Sequence, residues 1–141
     1  MNRDLVLAEW GRARMALGAA QLLTAESYPE DAASRAYYAI LHAAKAVLLV
    51  HDIATTSHAG TRRMFGLHLV RTGQVEPEWA SFLGESLDNR LAADYDSEVA
   101  FSAREAAQET RRARRFLSRM RRYLLANGFT QKELRVGGRR G

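Results

Sequence analysis

Four polar residues of one segment, Arg35, Tyr38, His42 and Lys45, are spaced 3, 4 and 3 apart, so on a helix they form a single stripe. Two cations, a phenol and an imidazole in a row can bind an anion or move protons. A plain solvated stripe gives the same pattern. A second candidate is Ser57-His58-Ala59-Gly60 at an expected helix start, where free N–H groups and positive potential suit an anion. A serine cap beside a tight loop is the simpler reading of Ser57 and His58. The third is Arg90-Leu-Ala-Ala-Asp94-Tyr95, where an arginine fork suited to phosphate stands near a carboxylate and a phenol. Here an i, i+4 pair between Arg90 and Asp94 is the structural alternative.

No cysteine occurs, which removes disulfides, thiolate metal sites and cysteine nucleophiles. His51, His58 and His68 stand without carboxylates at recognised ligand spacing, so neither a metal nor a cofactor is expected. The net charge of +5 is unevenly laid out. Residues 1–109 carry 10 Lys+Arg against 15 Asp+Glu, whereas residues 110–141 carry 11 against 1. Seven arginines fall between Arg111 and Arg122 with no acid among them. Such a block suits phosphates, an acidic surface or simply water.

These residues need helices to position them. With 141 residues the chain is one domain able to bury a core. Two prolines, 47% hydrophobic residues and no period-two alternation point to an all-α fold. Periodicity predicts a first helix from Asp4 to about Ala25, with Trp10, Ala13, Leu17, Ala20 and Thr24 on its apolar face. Ser27-Tyr-Pro-Glu30 has the form of a capping box opening a second helix that runs to about His51. Ser57 caps a third, which stops before Gly73, and Pro77 opens a fourth, which reaches Arg90–Ala93. Asp94–Ser97 breaks the pattern. Ser102-Ala-Arg-Glu105 is another capping box, and its helix extends to Ala126 before Asn127-Gly128.

Residues 1–128 are thus expected to form an up-and-down antiparallel bundle of four to five helices. The basic, Gly-rich residues 129–141 are expected to be a disordered tail. No apolar run approaches the roughly 18 residues of a membrane span, and Arg3, Asp4 and Glu9 leave no signal-peptide core. The expectation is a cytoplasmic domain without membrane contact.

Ser34-Arg-Ala-Tyr-Tyr-Ala-Ile-Leu-His-Ala-Ala-Lys45, then Ser57-His-Ala-Gly60, then Arg90-Leu-Ala-Ala-Asp-Tyr95 resemble, in this order, prokaryotic HEPN-domain proteins. The resemblance covers about Leu5 to Leu125. It implies a helical bundle that forms homodimers, and in many members a toxin paired with a minimal nucleotidyltransferase antitoxin. Active members are metal-independent endoribonucleases whose Arg-x4–6-His motif meets its symmetry mate in a cleft between protomers. By position the family arginine falls on Arg90, and the family histidine position holds Tyr95. A phenol with a pKa near 10 is a poor base at neutral pH. Arg63-Met-Phe-Gly-Leu-His68 satisfies the motif literally but lies elsewhere in the chain, and is read as coincidence.

Two functions follow as expectations. In the first, RNA or nucleotide phosphate binds in a dimer cleft. Arg90 holds the phosphate, Asp94, Tyr95 and His42 orient groups or shuttle protons, and Arg35, Tyr38, Lys45, Ser57 and His58 add binding contacts. In the second, the chain is a non-catalytic partner or nucleotide-binding module of a nucleotidyltransferase, and the resemblance makes Tyr95 a candidate for modification by that partner.

Overall fold

The computed structural model describes residues 1–95 and 101–136, with no side-chain description for 91–95 and 136. Among the described residues there are six α-helices and no strand: α1 (Arg3–Ala25), α2 (Pro29–Leu49), α3 (His58–Phe65), α4 (Pro77–Tyr95), α5 (Ala103–Ala126) and α6 (Gln131–Val136). A π-helical turn, Gly66–Val70, continues α3. The all-α expectation therefore holds, with six α-helices in place of four to five.

Local chemistry explains most helix ends. The Ser57 side chain accepts from Gly60 N–H at the start of α3. Ser102 and Glu105 cap α5 reciprocally, as their spacing predicts. The N-cap of α2 is a correction. Pro29 occupies its first position, so Tyr28 takes the cap site, with no side-chain cap bond. Ser27 instead adopts a left-handed φ of 65° and turns the chain out of α1, while Tyr28 N–H donates back to Leu23 C=O.

Helix α2 lies at the centre, packed against α1, α3, α4 and α5. Its alanines Ala36, Ala39, Ala43, Ala44 and Ala46 are fully buried, which lets neighbouring helices approach closely. Into this surface α1 places Val6, Trp10 and Ala13, and α5 places Phe116, Met120 and Leu124. Phe65, Leu69, Trp79 and Leu83 close the core from the α3–α4 side. The opposite side of α5 is pinned by charge to α4 and to Glu76 just before it. Arg112 pairs with Glu85 at 2.7 Å, and Arg119 pairs with Glu76 at 2.8 Å. With the Trp79 N–H as a further donor, Arg119 holds the Glu76 carboxyl down at about 2.

Residues 129–136 differ from the disordered tail expected of them. Phe129 and Leu134 are buried, and the Leu134 carbonyl accepts from Trp10 Nε1 at 3.0 Å. Arg3 grips Glu133 with two hydrogen bonds of 2.7 and 2.6 Å and covers the Phe129 ring. Two apolar side chains and one ionic clamp suffice to dock a short helix. Such a sparse signal does not stand out in a Gly- and Arg-rich composition.

Candidate functional site

The α2 stripe meets a carboxylate from α1. Glu9, only 9% exposed, shares a 2.6 Å hydrogen bond between its Oε2 and His42 Nδ1. Its Oε1 takes Arg12 at 3.0 Å and lies 3.9 Å from Lys45 Nζ. Burial pushes the Glu9 carboxyl up, but the His42 hydrogen bond and the charges of Lys45 and Arg12 outweigh it and hold it below its ordinary value. Glu9 is therefore anionic at neutral pH and can only accept, so His42 Nδ1 carries the proton. Nε2 is then the ring nitrogen turned away from the carboxylate.

Around His42 the aromatic side chains form a chain. Tyr38 stacks on His42 with ring centroids 6.3 Å apart. Its edge meets Tyr37 at 5.3 Å and His58 at 6.4 Å, and Tyr37 lies 5.4 Å from His58. Arg90 reaches in from α4, its guanidinium 5.9 Å from the centre of the Tyr38 ring. An arginine face on a phenol ring is an attractive arrangement that keeps the fork's N–H groups in one region. Four helices thus converge: α1 with Glu9, α2 with Tyr38 and His42, α3 with His58, and α4 with Arg90.

A groove of about 480 Å3 opens beside this cluster, lined by Arg12, Met15, Arg35, Tyr38 and His42, with Ala16 and Ala19 at its base. Small residues on α1 leave the space, and the two arginines make it cationic. Among the described residues, no three of the His, Asp and Glu side chains come together in a way that could hold a metal ion.

The candidates named from spacing divide clearly. Arg35, Tyr38, His42 and Lys45 do share one stripe, with Lys45 turned toward Glu9. Arg90 joins them and His58 contributes its ring. Asp94 and Tyr95 end α4 one turn beyond Arg90, and their side chains lie outside the described residues. The Ser57 hydroxyl is occupied as a helix cap. Gly60 is what makes room for it, since a Cβ there would stand 2.7 Å from Ser57 Oγ. Arg63 and His68 are exposed, on α3 and on the π-helical turn respectively.

Glu9 and Arg12 escaped the sequence reading. They sit on a helix whose periodicity advertises only its apolar face, and the one available hint was their i, i+3 spacing. What makes Glu9 significant is the cationic stripe opposite, supplied 33 residues later.

Comparison with known proteins shows the family. A family model described as the HEPN domain matches residues 8–123. A Methanocaldococcus jannaschii protein named "Putative toxin" is 40% identical over 82 residues, covering 58% of this chain and 61% of its own. Another from the same organism with the same description is 27% identical over 122 residues, covering 86% and 83%. A Pyrococcus horikoshii "UPF0332 protein" is 46% identical over 76 residues, covering 53% and 54%. The chain thus spans less than two thirds of the first and third of these relatives. The family match includes every helix that builds the Glu9–His42–Tyr38–Arg90 cluster, and the chain belongs to the HEPN-domain family.

Proposed function

We propose that the chain is a toxin-like HEPN protein that binds RNA in the groove beside Arg90 and cleaves it without a metal. The single observation that carries this reading is Arg90 over Tyr38, with Tyr38 stacked on a histidine that Glu9 holds in one tautomer. A carboxylate–imidazole pair of this kind is a general base with its second nitrogen presented outward. In the step proposed, His42 Nε2 takes the proton of an RNA 2′-hydroxyl as its oxygen attacks the adjacent phosphorus. The bond from phosphorus to the 5′-oxygen breaks, and that oxygen takes a proton from solvent. Arg90, with Arg12 and Arg35 lining the groove, balances the charge gathering on the phosphate. His42 thereby does the work for which the family uses the histidine position held here by Tyr95.

The working form in this reading is a homodimer with a composite cleft, located in the cytoplasm and restrained by a minimal nucleotidyltransferase. Met15, 67% exposed on the groove rim, supplies apolar surface for the second copy. The relatives named as toxins support the toxin class. Tyr95 favours a second reading, in which the chain is a non-catalytic, nucleotide-binding partner of the nucleotidyltransferase and Tyr95 is the residue that enzyme modifies.

RNA cleavage by wild type, Arg90→Ala and His42→Ala, each with and without EDTA, separates the two. Activity that survives EDTA and falls at least 100-fold (on the order of a general-base contribution) in either variant supports the ribonuclease. No turnover by folded wild type supports the partner module. Undiminished cleavage by His42→Ala rejects His42 as the base.

A further inference from the structure

The arginines of α5 do not form one uniform face. Arg112 and Arg119 are tied to Glu85 and Glu76. Arg114 and Arg121 make no ion pair among the described residues, and they converge with Arg14 of α1 and Arg135 of α6 on a groove of about 190 Å3. Ser118 lies between Arg114 and Arg121, and among the described residues no acidic side chain lines the space. The groove is built rather than accidental. The buried bond from Trp10 Nε1 to the Leu134 carbonyl fixes α6 against α1, and an Arg14 guanidinium N–H donates to the Arg135 carbonyl. Arg114 and Arg121 thus bring two guanidiniums without an ion pair to a groove whose described lining holds no carboxylate, which suits an external anion.

Its place is distinct from the Arg90 groove. On α1 the lining residues Trp10, Arg14 and Leu17 lie about half a turn of the helical wheel away from Arg12, Met15 and Ala19. Its shape is a row rather than a point. Arg114 and Arg121 are seven residues apart, about 10 Å along the axis, far enough to meet separate phosphates of one nucleic-acid strand. Arg111 and Arg122, both exposed or nearly so, prolong the row on the same face of α5. Planar forks in series match successive phosphates by paired hydrogen bonds, as lysines would not.

We infer that the groove between α1, α5 and α6 is a second, sequence-independent binding site for the phosphodiester backbone of a single-stranded nucleic acid, on the side of α1 away from the Arg90 groove. Its contacts are to phosphate, so RNA and DNA strands of equal length bind it alike. It carries a strand past the molecule, and it exists whether or not the Arg90 groove cleaves.

Fluorescence anisotropy tests this with the full chain carrying Arg90→Ala, which removes turnover by the first site. The probes are a labelled mixed-sequence 20-nucleotide RNA and the DNA of the same sequence, each titrated between 50 and 200 mM salt. Replacing both Arg114 and Arg121 by Gln weakens binding of both strands roughly tenfold and lowers the salt slope by about 1.4, the share of two phosphate contacts on a single strand. Both positions are at the surface, so the fold is kept. Ser118→Glu, which puts an acid between them, gives a loss in the same direction. Unchanged affinity and slope in both variants, or no binding by the Arg90→Ala parent, overturns the inference. Polyglutamate of matched charge that displaces RNA as well as RNA displaces itself also overturns it, and assigns the groove to an acidic protein surface.

Discussion

Replacing Glu9 by Gln tests the centre of the site. The variant keeps the size of the side chain and one acceptor oxygen, but removes the charge that faces His42, Lys45 and Arg12. Of these contacts the Arg12 pair counts for little, because the Arg12 side chain is 61% exposed. The 2.6 Å bond to His42 is the main term, since both side chains are largely shielded, 12% and 22% exposed. A hydrogen bond to a charged group is worth about 1.5–3 kcal/mol, and Gln retains part of it. The expected cost is about 1.5 kcal/mol. For 141 residues at about 2.1 cal/mol/K each, that lowers Tm by about 5 °C. The pH dependence has a definite sign. The Glu9 carboxyl is held below its ordinary 4.5, so its contribution is complete above that value and is lost as pH falls through the lower folded value. Urea unfolding of wild type and variant at pH 7 and pH 3 therefore shows a stability gap that is wider at pH 7 than at pH 3. A gap below about 0.3 kcal/mol at pH 7, or one of equal size at both values, refutes the role given to Glu9.

Two further substitutions probe the elements around the site. Leu134→Ala empties a fully buried position under α6 and is expected to cost about 2–3 kcal/mol, the lower part of the range for such truncations because the site lies at the edge of the core. A urea midpoint equal to that of wild type means that α6 does not dock. Ser57→Ala removes the α3 cap and costs about 1 kcal/mol in thermal unfolding, while RNA affinity measured in parallel stays unchanged. A loss of affinity without a loss of stability reverses the assignment of Ser57 from cap to ligand.

The amino-acid sequence by itself determined the helices and most of the inward faces, because those depend on neighbours within one or two turns. The α5 stripe of Ala106, Thr110, Ala113, Leu117, Met120 and Leu124 is buried throughout. The Ser102–Glu105 capping box and the left-handed Gly128 lie at the ends of α5 where spacing placed them. The α2 stripe was legible for the same reason, since i, i+3 and i, i+4 positions share a face in any helix. Its meaning was not. Ser27 shows how narrow the margin is, because one residue of shift moved it from an expected cap into the turn before Pro29. The tertiary structure alone decided that Glu9 faces His42 across 33 residues and that Arg90 lies over Tyr38 from another helix. It also decided that two α5 arginines pair with Glu85 and Glu76 while two others line a groove with Arg14 and Arg135. These pairings follow from which helix packs beside α2 and at what rotation, and that is set by the summed burial of alanines, Trp10, Phe116 and Met120. No single polar residue carries a local mark of the partner it will meet once the core has closed.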